Sequence, residues 1–207
     1  RNKFLNSKIN GKIYFKNEFN FDLNLNINQI NLRKLLIYYP IIQKGGISKK
    51  INGKINIDAK NIDSILGKIR DLKTVLSFEN GDIRIDNLSA KLPENSNFKS
   101  NLLISSEDKT PKLKFSINFF TKEANKFLRK FGIYDAGDNQ FSLFSEGDIN
   151  LIKQDINFNQ IIINNRERID KNRISTLEKA FKLHVLGDDV IGLFDFFKVK
   201  KFVQEIY

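Results

Sequence analysis

His184 is the only histidine in the chain, so a Ser-His-Asp relay could be assembled only around it, and a multi-histidine metal site is excluded. It lies between Leu183 and Val185 on an expected helix, which reads as a structural or surface histidine. Asp188 and Asp189 are adjacent carboxylates, but directly after Gly187 they read as an N-cap and a first-turn acid rather than a catalytic pair. There is no Cys, which removes disulfides, zinc fingers, iron–sulfur ligation and thiol nucleophiles together. Gly45-Gly46 precedes an expected strand, not a helix, and so reads as a turn rather than a phosphate loop. Asn87-Leu88-Ser89 fits a glycosylation sequon, a pattern common by chance. The expectation is a chain without catalytic residues, metal or cofactor.

The elements carry more information than these isolated residues. From Phe19 to Ile27 the chain alternates strictly: Phe19, Phe21, Leu23, Leu25 and Ile27 are apolar, and Asn20, Asp22, Asn24 and Asn26 between them are polar. Strand side chains point to opposite faces with period two, so this segment is a strand with one dry face and one wet face. Ile9, Ile13 and Phe15 keep the same parity just before it, and residues 8–28 read as a hairpin. Burying the five apolar residues of the second strand stabilises by about 7 to 15 kcal/mol before entropy is subtracted. A slip of one residue would turn all five into water.

A repeat reinforces the pattern. Lys8-Ile9-Asn10-Gly11-Lys12-Ile13-Tyr14-Phe15 recurs as Lys50-Ile51-Asn52-Gly53-Lys54-Ile55-Asn56-Ile57, identical at six of eight positions, and a shorter core recurs at Gly81-Asp82-Ile83-Arg84-Ile85 and Gly147-Asp148-Ile149-Asn150-Leu151. Its uneven spacing points to a meandering sheet rather than a strict solenoid. Alternation continues through Leu113 to Phe119 and Ile156 to Ile163, with turn residues between, among them Asn80-Gly81 and Pro93-Glu94-Asn95. The expected fold is mainly β with a few short helices: a meandering, antiparallel, curved sheet forming a repeating groove, closed by a C-terminal helix. Its apolar wall would comprise Ile9, Ile13, Phe15, Phe19, Phe21, Leu23, Leu25, Ile27, Ile55, Ile57, Ile83, Ile85, Leu113, Phe115, Ile117 and Phe119.

Four short helices are expected. One is capped by Asn31 and contains Leu35 and Leu36; another spans Asn61 to Leu76, around Ile62, Ile65, Leu66 and Ile69. Thr121 would cap Ala124 to Phe131, ended by Gly132. Ser175 with Glu178 has the capping-box spacing ahead of Leu177, Phe181 and Val185. The segment Asp188 to Tyr207 begins acidic and ends in lysines, as a helix dipole prefers, with an apolar stripe of Val190, Leu193, Phe194, Phe197, Phe202 and Ile206. Covering the sheet is favoured over lying on a membrane surface. One continuous body is expected, with residues 1–165 as the strand region and 166–207 as the helical segment.

The 207 residues are 41% hydrophobic and 29% charged, the balance of a folded chain, and no run reaches the roughly 18 apolar residues of a membrane span. The chain starts at Arg1 and has no Met, so an upstream part is expected to have been removed. A net charge of +11 would attract phosphate. Lys, Asn, Ile and Phe all have AT-rich codons, however, and Lys outnumbers the Arg that bidentate base or phosphate recognition favours, so the charge reads mainly as a solvated face. A meandering sheet with few helices must cover its oily face by folding over or by binding something oily, and in an open groove that ligand would be an acyl chain.

The stretch Phe78-Glu79-Asn80-Gly81-Asp82-Ile83-Arg84-Ile85-Asp86-Asn87-Leu88-Ser89-Ala90-Lys91-Leu92-Pro93-Glu94-Asn95-Ser96 resembles the "apolar-x-x-Gly-x-Leu-x-Ile-x-x-Leu-x-Ala-x-Leu-Pro-Gly" segment of AsmA-family envelope proteins. Residues 50–60 before it and 112–119 after it follow the order of that family's C-terminal region, and the resemblance covers roughly residues 8–160. It implies a periplasmic protein anchored in the bacterial inner membrane by an N-terminal helix not present in this chain. It also implies non-enzymatic binding and transfer of phospholipid toward the outer membrane, with envelope proteins as possible partners and no nucleic acid. The chain departs from the pattern at Glu94-Asn95, where the family often has Gly after Pro. Two other readings stand beside this one: an envelope assembly module whose apolar face packs on protein, and a basic nucleic-acid-binding β protein.

Overall fold

Alternation and turn chemistry decide most of the architecture. The computed structural model describes residues 5–15, 17–31, 48–105, 111–135, 137, 139–164, 167–187 and 195–206. The protein is mainly β, in curved, mostly antiparallel open sheet, with short helices of which the last is C-terminal. The chain divides into two compact units, residues 1–93 with 98–107 and residues 94–97 with 108–207. The expected boundary at 165/166 falls inside the second of these.

In the first unit, strands β1 (Leu5–Phe15), β2 (Phe19–Asn31), β3 (Ile51–Ser64), β4 (Gly67–Glu79) and β5 (Asp82–Leu92) lie side by side in chain order. Three of the four pairings are antiparallel, as a meander requires; β2 and β3 run parallel. A tight hairpin forces antiparallel pairing, whereas residues 32–50 give the chain enough length to return to the end from which β2 set out. Strand β6 (Ser96–Ser105) is shared between the units, its first two residues belonging to the second.

The expected helix over Asn61 to Leu76 is a correction: these residues form the β3–β4 hairpin, with Ile62 opposite Ile69 and Ser64 opposite Gly67. The Ser64 hydroxyl donates to the Gly67 carbonyl at 2.8 Å, closing the turn. Ile62, Ile65, Leu66 and Ile69 have helical spacing, but pairing across a hairpin also buries Ile62 and half-buries Ile69, and the neighbouring strands favour it. The helix expected after Asn31 lies outside the described residues, as do Gly45-Gly46.

The second unit contains β7 (Lys112–Thr121), α1 (Ala124–Arg129), β8 (Phe141–Asn150), β9 (Asp155–Ile163), the two-residue β10 (Glu167–Arg168), α2 (Lys171–Phe181), continued by a π-helical turn over Lys182–Leu186, and α3 (Phe196–Ile206). β7, β8, β9 and β10 pair antiparallel in that order. Two expected caps move. Thr121 does not cap α1. Buried in full, its hydroxyl accepts from the Glu123 N–H at 3.1 Å and donates to the Glu94 carbonyl at 3.0 Å. This ties down the turn at Glu94 and Asn95, both left-handed with φ of +57° and +51°, the conformation for which Gly is the usual residue.

Ser175 with Glu178 is not a capping box. Asp170 caps α2, its Oδ1 accepting from the N–H groups of Asn172 and Arg173 at 2.9 and 3.0 Å. Glu178, about two turns further along, accepts from the Phe158 N–H at 2.8 Å. That amide sits where β9 shifts register against β8, with Glu146 opposite Gln160 but Gly147 opposite Phe158, so a carboxylate serves a bulged strand. The Asp195 carboxylate caps α3 by accepting from Phe197 N–H at 2.8 Å. Asp188-Asp189, Val190, Leu193 and Phe194 lie outside the described residues. Among the described residues, no helix is long and apolar enough to cross a membrane.

Candidate functional site

Register in the first unit aligns the expected wall into rows that run across strands. Ile13, Phe21, Gly53, Phe78 and Ile83 follow one another from β1 to β5; Gly11, Leu23, Ile55, Leu76 and Ile85 form the next row; Ile9, Leu25 and Ile57 begin a third. Phe15 stands opposite Phe19. Parity alone puts these side chains on one face. The rings of Phe15, Phe19, Phe21 and Phe78 touch in sequence, with centroids 5.0, 5.6 and 5.6 Å apart.

The opposite face is polar in the same rows. Lys12, Asp22, Lys54, Ser77 and Arg84 align, as do Asn10, Asn24 and Asn56. Lys54 Nζ is 3.3 Å from Asp22 Oδ2, and the Asn56 amide donates to Asn24 Oδ1 at 3.0 Å. A cleft of about 380 Å³ is lined by Asn24, Asn26, Asn56, Asp58, Lys73, Thr74 and Asn87 together with the apolar Ile57 and Val75. Lys91 donates to Asp71 at 2.8 Å, and this bond, with the lysine's charge, holds the Asp71 carboxyl below its ordinary value.

Burial grades along the apolar face. Ile27, Ile30, Ala59 and Ile62 are buried against one another, with Leu5, Leu25, Ile57, Ile69 and Leu72 packed around them. Phe21 is buried; Phe19, Leu23, Ile55, Ile83 and Ile85 are half-buried. Toward β1 the face opens to solvent, with Ile9 64%, Ile13 55% and Phe15 74% exposed. Large apolar side chains left this open, aligned with a contiguous apolar surface, are the feature that an oily ligand or partner would cover.

The remaining candidates fall elsewhere. Leu113, Phe115, Ile117 and Phe119 share one face of β7, opposite Ile149, Gly147, Ser145 and Leu143. Helices occupy that unit's apolar surface. Phe119 stacks on Phe127 of α1 at 4.6 Å, and Phe115 meets Phe158, which meets Phe181, which meets Phe202 of α3, at 6.0, 5.9 and 4.9 Å. Phe115 and Phe119 are buried, as are Phe127, Leu177, Val185, Leu186 and Phe202. These side chains form a closed core, which is a different environment from the open face of the first unit.

Sequence reasoning missed Ile62 and Leu76, because a helix was expected over Asn61 to Leu76, and Ile30, because parity breaks there; Phe78 reads as part of a strand over Val75 to Phe78 but not as part of the wall. The signal for Leu76 and Phe78 was present as their alternation with Ser77. For Ile30 there was none: a register shift between Asn6 and Ser7 of β1 accommodates the break. His184, the sole histidine, lies 2.6 Å from Glu205 Oε1 and ties the π-helical turn to α3. Among the described residues, no three His, Cys, Asp or Glu side chains gather as a metal site would require. Comparison with family models, curated proteins and solved structures returns no match.

Proposed function

We propose that the apolar face of β1–β5 binds the acyl chains of phospholipid, and that the protein is a non-enzymatic lipid-transfer element of the bacterial envelope, moving phospholipid from inner toward outer membrane in support of outer-membrane assembly. The observation that carries this reading is the continuity of the rows from Ile9, Ile13 and Phe15, open to solvent, to Phe21, Leu23, Ile55 and Ile57, sheltered behind them. Five strands at about 4.8 Å spacing make an apolar path roughly 19 Å wide. An acyl chain lying across it would gain about 0.8 kcal/mol per methylene removed from water, without any directional chemistry. The resemblance of residues 78–96 to the AsmA-family segment supports the same reading and supplies its setting: a periplasmic location and an inner-membrane anchor.

The test is organic extraction of the purified protein followed by mass spectrometry of the extract. Phospholipid in near-stoichiometric amount is expected, and its loss is expected in a double variant, Ile13→Asp with Phe15→Asp. Both positions are already wet, so the variant should keep its fold, checked by circular dichroism. A folded wild-type protein that carries no phospholipid and takes none up from vesicles would refute the proposal.

A further inference from the structure

β1 is the terminal strand of its sheet, so one row of its backbone N–H and C=O groups has no strand partner among the described residues. The repeated octapeptide says what such a row receives. Its two copies bracket β2: Gly11 opposes Leu23 with the strands antiparallel, and Gly53 opposes Phe21 with the strands parallel. Both glycines have nearly the same left-handed backbone, φ +148° and +147°, and a Cβ on either would collide with a β2 carbonyl. The copies therefore turn the same edge toward β2, related by a half-turn about the sheet normal. The other edge of the second copy is occupied by β4, antiparallel, with Phe78 opposite Gly53 and Leu76 opposite Ile55.

We propose that the corresponding edge of β1, unpaired among the described residues, accepts an antiparallel strand from a protein partner, with apolar residues opposite Gly11 and Ile13 and acidic residues facing Lys8 and Lys12. Main-chain hydrogen bonds would supply affinity and the alternating side chains specificity, the β-augmentation mode of peptide recognition. Charge selects the partner. Asp22 lies between Lys12 and Lys54 in register but forms its ion pair with Lys54. Lys8 and Lys12 are exposed and have no ion pair among the described residues. A second copy of this chain would bring four lysines onto one face of the seam, which like-charge repulsion disfavours. An acidic, amphipathic strand satisfies both faces at once.

The experiment uses the whole chain and a fluorescent peptide with the sequence of residues 72–81, in which Ser77, the residue opposite Lys54 in β3–β4, is changed. In register on β1 this position falls opposite Lys12. The Ser77→Asp peptide is expected to bind, by anisotropy, at least tenfold more tightly than the Ser77→Lys peptide, and Lys12→Glu in the protein is expected to reverse that order. N-methylation of alternate peptide amides should abolish binding. Should Lys12→Glu fail to fold, the two peptides on the unaltered protein still decide the matter. No binding, equal binding of the two peptides, or a self-paired dimer that the Asp peptide does not dissociate would overturn the proposal.

Discussion

Gly11 and Gly53 meet β2 from opposite sides: a Cβ at Gly11 would stand 2.1 Å from the Asp22 carbonyl oxygen, and one at Gly53 would stand 2.2 Å from that of Phe21. The obstacle in each case is backbone, which cannot swing aside as a side chain can. Gly53→Ala should therefore destabilise by at least about 2 kcal/mol, combining left-handed backbone strain with a steric clash. Gly137→Ala is the control: φ is +69°, but nothing lies within 4 Å, so only the backbone term of about 1 kcal/mol applies. Urea titration of the two variants checks the ordering.

Glu178 and the Phe158 N–H test the bulge in β9. Glu178→Ala leaves an amide without its acceptor, at a cost of about 1 to 3 kcal/mol, whereas Glu178→Gln keeps an oxygen acceptor and should lose less than half as much. Hydrogen exchange at Phe158 should quicken in the Ala variant and stay slow in the Gln variant.

The two faces of β2 predict unequal responses to charge. Leu23→Asp places a carboxylate in the apolar row and should cost about 2 to 4 kcal/mol as well as lipid binding. Asn24→Asp, next along the chain, keeps an acceptor for the Asn56 amide on the wet face and should stay within about 0.5 kcal/mol of wild type. Thermal melts would expose the contrast, and equal losses at the two positions would be incompatible with a one-sided sheet.

Glu123 sets a pH dependence. The bond from Lys126, at 2.5 Å, and a second from the Asn95 amide hold its carboxyl below its ordinary value, while partial desolvation opposes them. A carboxylate depressed in the folded state contributes stability above its unfolded pKa and loses it as pH falls through the folded one. The same pair raises Lys126, whose contribution is present below its unfolded pKa and lost as pH rises through the folded value. The melting temperatures of wild type and Glu123→Gln should differ most between these limits and converge in acid.

How much of this was already in the residues varies by element. The strict alternation of Phe19 to Ile27 determined β2 and its wet and dry faces, because period two leaves a strand no other way to sort its side chains. The octapeptide repeat marked β1 and β3 as equivalent, and Gly132 marked where the polypeptide leaves α1. What the residues could not reveal depended on partners distant in sequence. Parallel pairing of β2 with β3 is set by where β3 enters the sheet, with Ile51 opposite Phe19, not by either strand's own pattern. Residues 61–76 took a hairpin because neighbouring strands buried Ile62, outweighing a spacing that suited a helix equally well. Most consequentially, Ile13 and Phe115 read alike in sequence, as apolar residues of alternating strands. Tertiary structure alone decided that Ile13 stands at an open sheet margin while Phe115 is buried in a helix-covered core, since burial is set by what packs on a face and alternation specifies only that a face exists.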